Sequence, residues 1–467
     1  MLIQGCASFL PVVRQSLPTL FASFCLTMLL PLAATAEGVK PNEAPPADAA
    51  VETKTYTDAV KKAPEMQPSI APLAQPILSP NDDRHMRHFM LPNGLPVLII
   101  SDPDTDKAAA ALDVNVGSGE DPKDRAGLAH FLEHMLFLGT KKYPEADQYQ
   151  DYIQKHGGSH NAYTSYEHTN YFFDIQAEHL AGALDRFAQF FIAPLFNEAY
   201  VERERNAVHS EFRAKYSSEF RRQEDVLRQL VNPEHTFAKF RTGNLATLHN
   251  DKGNLRQDLL AFYRQYYSAS NMRLVVAGKD SLDDLEALVT SLFSIVPRFE
   301  VVDPKPPKTM FPADFLPASV EILPNTEVRS VSYIFPVDKY TDWMKKPLAF
   351  IGHLLGHEAE GSLAWLLKKE GLIESLSAGQ GYGWRTGDTF MVNIKLLPKG
   401  LAQLPLIDQL LFDYVEMIKR EGIEPWRFEE IKNLGEVDFL FKERGDTVSE
   451  VSHLATKLHQ IPASQLF

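Results

Sequence analysis

The pattern of apolar and polar residues predicts strands and helices from about residue 90 onward. Two β-rich apolar runs, 96–101 and 108–116, predict strands, and the second alternates between apolar and polar residues with a period of two. Residues 117–125 are rich in Gly and Asp and predict a polar turn region. The sequence from 128 to 138 then becomes helical. This order of elements is typical of an α+β fold.

Further along, the pattern outlines two units of similar order. The first contains a Gly-hinged hairpin at 157–175, an aromatic-rich core helix at 184–196 and a charged helix at 200–222. A proline-rich joint at 302–307 precedes the second unit, whose predicted elements are strand 328–335, helices 344–355 and 362–369, and strands 375–378 and 389–397. The sequence therefore predicts an α+β fold with two related domains, each a mainly antiparallel sheet with helices packed on one face.

The first residues have the pattern of an export signal. Arg14 precedes an apolar stretch at 17–32 and the small-residue site Ala34-Thr35-Ala36, which predicts a cleaved signal peptide over residues 1–36. The alternative is an uncleaved membrane anchor, but two prolines interrupt the stretch, and it is shorter than the roughly 20 apolar residues of a spanning helix. We therefore expect a periplasmic or secreted protein without a stable membrane anchor.

Residues 37–80 are rich in Pro, Ala and acidic residues and predict a flexible leader. The folded domains are then expected at 81–300 and 301–467. Both cysteines, Cys6 and Cys25, lie within the predicted signal. The mature chain would therefore have no thiol for a disulfide, a metal site or a nucleophile.

Composition and charge narrow the function classes. A chain of 467 residues with 44% hydrophobic and 23% charged residues is typical of a soluble globular protein with more than one domain. The formal net charge of -14 argues against nucleic acid as a partner, because phosphate binding relies on clustered Lys and Arg.

Three polar residues stand out on the helix at 128–138. At 3.6 residues per turn, His130, Glu133 and His134 share one face. Two imidazoles one turn apart can bind one metal ion, and the adjacent carboxylate can act as a general base on a metal-activated water. The alternative is a core histidine beside a surface ion pair. The strongly apolar surroundings weaken that reading, because burying these groups without partners is costly.

The best candidate for a third ligand comes from the charged helix at 200–222. Glu204 and Glu211 are seven residues apart and therefore lie on one face, two turns from each other. One carboxylate could bind the metal while the other orients a ligand. Taken alone, such an acidic stretch is more often a solvated helix face.

The run from Gly127 to Thr140, GLAHFLEHMLFLGT, closely resembles the pitrilysin and insulin-degrading-enzyme family of inverted-motif zinc metallopeptidases. Glu211 lies 77 residues beyond His134, which belongs to the same resemblance. The resemblance covers about residue 79 to the C-terminus. It implies one Zn²⁺ per chain, bound by His130, His134 and Glu211, with Glu133 as the base and Glu204 in support.

The resemblance also assigns a role to the hairpin at 157–175. In the family, the strand that matches Asn161 and Ala162 pairs with the backbone of the peptide substrate. His160 and His168, which flank these positions, are interpreted as surface or packing residues.

The second unit lacks the metal motif. It contains His353 and His357 one turn apart, but Gly356 and Gly361 predict a helix break, and no partner like Glu211 follows. Full members of the family have two halves of this size, so this chain is expected to end before its second domain is complete. Two hypotheses follow: a zinc-dependent endopeptidase of short to medium peptides, or a half that binds zinc and peptide and needs a C-terminal half or partner subunit for turnover.

Overall fold

The computed structural model describes residues 71–301, 308–312, 314–340 and 345–466, together with the backbone of residues 12–15. Its strands are β1 (Val12–Gln15), β2 (Ala71–Pro72), β3 (His85–Met90), β4 (Pro96–Ser101), β5 (Lys107–Val114), β6 (Ser159–Thr164), β7 (Thr169–Gln176), β8 (Met272–Gly278), β9 (Val320–Glu321), β10 (Ser330–Asp338), β11 (Ile373–Trp384) and β12 (Gly387–Leu396).

The α-helices are numbered in chain order. They are α1 (Leu128–Leu136), α2 (Gln148–Lys155), α3 (Leu180–Ile192), α4 (Val201–Lys215), α5 (Glu219–Leu230), α6 (Leu255–Tyr266), α7 (Leu282–Phe293), α8 (Pro347–Gly356), α9 (Leu363–Lys369), α10 (Pro398–Ala402), α11 (Leu404–Glu421), α12 (Pro425–Leu440) and α13 (Thr447–Lys457). The α+β class predicted from the sequence is confirmed.

The first sheet has seven strands in the order β2-β3-β4-β8-β5-β7-β6. All neighbouring pairs are antiparallel except β4 and β8, which are parallel. One face packs against α1, α3, α6 and α7 in a large apolar core. Strand β6 ends the sheet, so its outer edge is open to pairing.

The opposite face of this sheet is covered by α13, near the C-terminus. Val451 and Leu454 of α13 pack against Leu98, Ile100 and Val275 of the sheet. The prediction that helices lie on one face was therefore wrong for this sheet. Its central strands are buried on both faces, as the all-buried pattern of β4 shows, and such a sheet needs a cover on each side. The covering helix falls in the range that the sequence assigned to the second domain.

The second sheet has five strands in the order β11-β12-β10-β1-β9. Strand β12 lies between β10 and β11 and pairs antiparallel with both, and α8, α9 and α11 supply the apolar side chains that pack on these strands. Strand β1 pairs with β10 and β9 and lies within the range predicted as a signal peptide. The apolar stretch 17–32 and the cleavage site at 34–36 lie outside the described residues, as does the leader up to residue 70.

A smaller apolar cluster joins the first unit to the second sheet. Phe237 and Val231 of the first unit meet Met310, Ile334 and Trp384 of the second. The predicted joint at 302–307 lies outside the described residues. In the part of the chain that is described, no helix is both long and apolar enough to cross a membrane.

The charged helix predicted at 200–222 is in fact two helices. Helix α4 ends at Lys215 and α5 begins at Glu219, with Ser218 in an extended conformation between them (φ -65°, ψ 123°). The prediction of one continuous helix was therefore wrong. No residue in this polar stretch interrupts the helical pattern, so the sequence did not indicate that the chain turns between the two helices.

Candidate metal centre

Helix α1 starts at a close contact between two glycines. Gly127 has a φ of +92°, and a Cβ there would lie 2.2 Å from the Cα of Gly243. The buried carboxylate of Asp121 accepts the backbone N–H groups of Gly127 (2.6 Å) and Ala129 (2.8 Å), which are among the donors that the first turn of a helix leaves unpaired. These contacts fix the start of α1 beside the segment that contains Gly243.

That segment also orients the first histidine. Nδ1–H of His130 donates to the backbone carbonyl of Thr242 over 2.7 Å. A carbonyl can only accept, so this contact places the proton on Nδ1 and leaves Nε2 as the possible metal ligand. The ring of His134 lies one turn further along α1, with the two ring centroids 4.8 Å apart and the planes at 88°.

Helix α4 brings carboxylates to the same place. Its buried face carries Val201, Glu204 and Val208, and Glu211 continues that face one turn later. Oε2 of Glu211 lies 3.3 Å from Nε2 of His130 and 3.5 Å from Nε2 of His134.

The two distances from Glu211 to the histidine nitrogens match the spacing of ligands in a tetrahedral zinc site. All three ligand atoms lie within 4.8 Å of one another, and together they form the group that could hold a metal ion among the residues that the structure describes. Zinc binds N and O ligands at roughly 2.0–2.2 Å, which puts neighbouring ligands of a tetrahedron about 3.3–3.6 Å apart. The donor set of two imidazole nitrogens and one carboxylate therefore fits Zn²⁺.

Glu204 supports the second histidine. Its Oε2 lies 3.4 Å from Nδ1 of His134, and its Oε1 accepts the Nε–H of Arg203 at 2.9 Å. With Nδ1 held by Glu204, Nε2 of His134 is the nitrogen that faces Glu211. Such a carboxylate–histidine contact fixes the ring and raises its basicity as a ligand.

The electrostatics of this cluster favour positive charge. Contacts with the imidazole groups of His130 and His134 hold the pKa of Glu211 well below its ordinary value. Burial alone would lower the pKa of His134, but hydrogen bonds to Glu204 and Glu211 outweigh it and raise the pKa to about 9. Two carboxylates thus stabilise a cationic partner at this point, either a proton or a metal ion.

Glu133 lies beside the ligands but points to a different partner. Its side chain is buried, and Thr164 Oγ1–H of β6 donates to its Oε2 over 2.5 Å. Burial raises the pKa of the Glu133 carboxyl above its ordinary value. A carboxylate with a raised pKa is a better proton acceptor, which suits a general base.

The cluster of candidate ligands opens into a cleft of about 800 Å³ that β6 borders. Asn161 and Ala162 line this cleft together with Glu133 and the three candidate ligands. Asn161 is exposed and Ala162 is half-buried. The open edge of β6 therefore lies along the same cleft as the candidate ligands.

The structure thus brings together His130, Glu133, His134, Glu204 and Glu211, with Asn161 and Ala162 beside them. The flanking histidines lie outside the ligand cluster: His160 stacks on Tyr149 at 5.4 Å, and His168 bonds to Asp113 at 2.9 Å.

Sequence reasoning did not identify the partners that hold the site. Thr164 lies two residues beyond Ala162, so the period of two along a strand could have placed it on the same face. Thr242 contributes only a backbone carbonyl, and no side-chain pattern could have indicated it.

Two family models match the chain in succession. Residues 96–241 match the model described as Insulinase (Peptidase family M16), and residues 254–434 match the Peptidase M16 inactive domain. Human insulin-degrading enzyme is 43% identical over 393 residues, which are 83% of this chain and 39% of that protein. The chain therefore spans about two fifths of the length of such curated relatives.

Solved structures show the same relationship. The crystal structure of pitrilysin superposes with a TM-score of 0.79 at 32% identity, covering 86% of this chain and 43% of that chain. The first half of the Escherichia coli periplasmic protease PqqL has the same fold, with a TM-score of 0.67 at 17% identity over 84% of this chain and 85% of that chain. With both family models matched in order, the chain belongs to peptidase family M16.

Proposed function

We propose that this chain carries the active site of a zinc-dependent endopeptidase that hydrolyses short to medium peptides. The observation that supports this most is the convergence of three ligand atoms within 4.8 Å next to the buried carboxylate of Glu133. A scaffold that only binds metal has no need of that carboxylate. Membership of a peptidase family supports the same proposal.

In this proposal, one Zn²⁺ is held by Nε2 of His130, Nε2 of His134 and a carboxylate oxygen of Glu211. Zinc bound there would polarise a carbonyl and make a water acidic enough to ionise near neutral pH. Glu204 keeps the His134 ring in place through Nδ1.

Glu133 is proposed to transfer the proton from the attacking water to the leaving amine. Thr164 occupies Oε2, so Oε1 is the oxygen left to accept a proton from the attacking water. The same carboxyl then delivers that proton to the nitrogen of the leaving amine. Burial strengthens the carboxylate as a base, and the hydrogen bond from Thr164 keeps it oriented.

The peptide is proposed to bind as an added strand along β6. Its backbone would pair with the open edge near Asn161 and Ala162, which brings a backbone carbonyl to the metal ligands. Recognition through backbone hydrogen bonds depends on an extended peptide more than on particular side chains. A broad range of peptides would therefore be accepted.

A second candidate follows from length. Because the chain spans about two fifths of its curated relatives, it could bind zinc and peptide while turnover requires a C-terminal half or partner subunit. We also retain the proposal of export to the periplasm or the exterior through residues 1–36.

Hydrolysis of an internally quenched peptide by the purified chain tests the proposal. We expect activity that a chelator removes and added zinc restores, and a loss of about 100-fold or more in kcat for Glu133→Gln. Glu429→Gln, on the exposed surface of α12, is the matched control. Cleavage that survives chelation, or full activity of Glu133→Gln, would refute the zinc mechanism. Zinc binding without turnover would favour the second candidate.

A further inference from the structure

A second cavity opens beside the cleft of the candidate ligands, and the charged side chains that line it are mainly basic. It has a volume of about 680 Å³ and lies between the end of α4, helix α5 and residues 239–244. Two acidic residues line it, Glu224 and Asp225, against six basic ones: Lys215, Arg221, Arg222, Arg228, Lys239 and Arg241. In a chain with a net charge of -14, this local excess of positive charge stands out.

Pairing within the cavity cancels only part of this charge. Arg228 is paired with Asp225, and Lys215 is paired with Glu211. Arg222 is paired with Glu219 at 2.8 Å. The charge that remains belongs to the other three basic residues of the cavity.

Two of those three share a single carboxylate. Nη1 of Arg221 lies 2.7 Å and Nη2 of Arg241 3.1 Å from the carboxylate of Glu224. Glu224 is 8% exposed, whereas the side chains of Arg221 and Arg241 are 31% and 24% exposed. The third, Lys239, donates to the backbone carbonyl of Asp121 and not to a carboxylate.

The carboxylate of Glu224 is therefore mostly buried between two guanidinium groups that also line the cavity and are more exposed than it is. Each guanidinium has five N–H donors in a fixed plane, a geometry that matches a second carboxylate. Arg241 also lies over the ring of Tyr166, with 5.1 Å from its guanidinium carbon to the ring centroid, which helps to hold it in place.

This cavity adjoins the cleft of the candidate ligands. Lys215, Arg221, Arg241 and Thr242 line both. The carbonyl of Thr242 accepts the hydrogen bond from His130. Arg241 directly precedes Thr242 in the sequence and therefore lies close to a candidate metal ligand. In an extended peptide, successive residues are about 3.3 Å apart with side chains on alternate faces, so a side chain close to the scissile bond can reach the cavity.

We propose that Arg221 and Arg241 form a specificity pocket for an acidic side chain, Asp or Glu, close to the scissile bond. The inference rests on the proposed peptidase function for its biological meaning. The binding step itself requires only that peptides occupy the cleft. A carboxylate that displaces water from the two guanidinium groups gains charge-assisted hydrogen bonds that an amide of the same shape lacks.

Peptide binding to the inactive Glu133→Gln chain tests the pocket without any need for turnover. The probes are fluorescein-labelled peptides of one neutral sequence in which Glu, Gln or Lys is placed in turn on either side of the central bond. We expect the best-placed Glu peptide to bind about tenfold more tightly than its Gln counterpart, with the Lys peptide weakest.

Two substitutions added to Glu133→Gln should change this Glu-to-Gln ratio in opposite directions. Arg241→Gln should reduce it from about tenfold to about twofold. Glu224→Gln should increase it, because it removes the internal competitor for both guanidinium groups. Arg420→Gln, exposed on α11, is the control and should leave the ratio unchanged. A defect of folding alone would not produce opposite shifts, and circular dichroism identifies any variant that is unfolded.

The outcomes separate the pocket from the peptidase. Equal affinities for the Glu and Gln peptides would overturn the pocket, even if the unsubstituted chain cleaves both. Tight binding of inorganic phosphate without discrimination between peptides would also overturn it, in favour of a free-anion site. A Glu preference in a chain that shows no zinc-dependent hydrolysis would support the pocket and refute the proposed function.

Discussion

The two sheets share a local order of elements, yet within the residues that the structure describes the group that could bind a metal lies beside the first sheet. In the first, β7 lies between β5 and the edge strand β6, and in the second, β12 lies between β10 and the edge strand β11. Helix α1 follows β5, and α8 follows β10 in the same position along the chain. His353 of α8 and His357, which directly follows α8, are thus the topological counterparts of the histidines on α1.

The difference lies in how each helix ends and what faces it. His130 and His134 both lie within α1, whereas α8 ends at Gly356 and His357 has an extended backbone (φ -62°, ψ 140°). The rings of His353 and His357 stack at 22° and 5.6 Å, and Glu358 is paired with Lys368. One-turn spacing in the sequence is therefore insufficient, because a site also needs an unbroken helix and an opposing carboxylate.

The packing of the helix on its edge strand differs as well. A Cβ at Gly352 of α8 would lie 2.8 Å from the backbone oxygen of Ala378 in β11, so the helix rests directly on the strand. Helix α1 also contacts β6, through Glu133 and Thr164, but the two elements line a cleft of about 800 Å³ together with α4. In the second unit, the corresponding helix lies directly against its edge strand.

The largest expected effect comes from replacing the carboxylate beside the histidines in each of the two units. Glu211→Gln should lower zinc affinity at least 100-fold, because it removes one of three charged or imidazole ligands. Glu358→Gln, the counterpart beside His357, should leave zinc content unchanged. Metal analysis after dialysis, read as zinc per chain, checks both. Zinc retained by Glu211→Gln would mean that the third ligand is a different residue.

The second prediction concerns the covering of the first sheet by α13. Leu454 is 2% exposed in the cluster beneath this sheet, so Leu454→Ala should destabilise the chain by about 2–5 kcal/mol. Leu434 of α12 is 53% exposed, and Leu434→Ala should cost less than about 0.5 kcal/mol. Urea unfolding followed by fluorescence gives both values. Equal costs would show that α13 does not contribute to the stability of the sheet.

Local pattern was enough to predict the elements that build the site. The strand expected at 96–101 forms at Pro96–Ser101, and the helix expected at 128–138 forms at Leu128–Leu136. Such elements can be predicted because they depend on the apolar pattern and the turn residues of the segment itself. The spacing of Glu204 and Glu211 likewise placed both on one face of a helix.

Contacts between distant segments could not be predicted in the same way. The apolar face of α13 would suit either sheet, and only the assembled fold selects the first one. The carbonyl of Thr242 holds His130 across 112 residues of sequence without a side-chain signal. The convergence of α1 with α4 was expected only from the family resemblance, because spacing within one helix says nothing about the neighbour of that helix.

A smaller effect on zinc affinity is expected from Glu204, which contacts His134. Glu204→Gln should weaken zinc binding by about 10–100-fold without abolishing it, because the amide can still contact His134 but lacks the charge that raises the basicity of the ring. Competition with a chromogenic zinc chelator measures the affinity. Glu202→Gln, on the exposed side of α4, is the matched control. A complete loss of zinc in Glu204→Gln would make Glu204 a direct ligand.

The smallest predicted effect concerns the junction of the two units and is a dependence on pH. His235 is 1% exposed and packs edge-on against Trp384 with ring centroids 4.9 Å apart. Its Nδ1 accepts the backbone N–H of Phe237 at 3.1 Å. Protonation of Nδ1 would therefore replace this hydrogen bond by two N–H donors that face each other. Burial accordingly lowers the pKa of His235 to about 4.

Since the unfolded chain has an ordinary histidine pKa of about 6.5, it binds more protons than the folded chain between pH 6.5 and pH 4. Stability should therefore fall on acidification, by about 1 kcal/mol between pH 7 and pH 5.5 from this residue. His235→Asn should flatten the pH dependence of the free energy of unfolding by that amount, whereas His85→Asn, exposed on β3, should not. An unchanged pH profile in His235→Asn would show that His235 is protonated without loss of the contact to Trp384, and the junction would then tolerate a charge that its burial argues against.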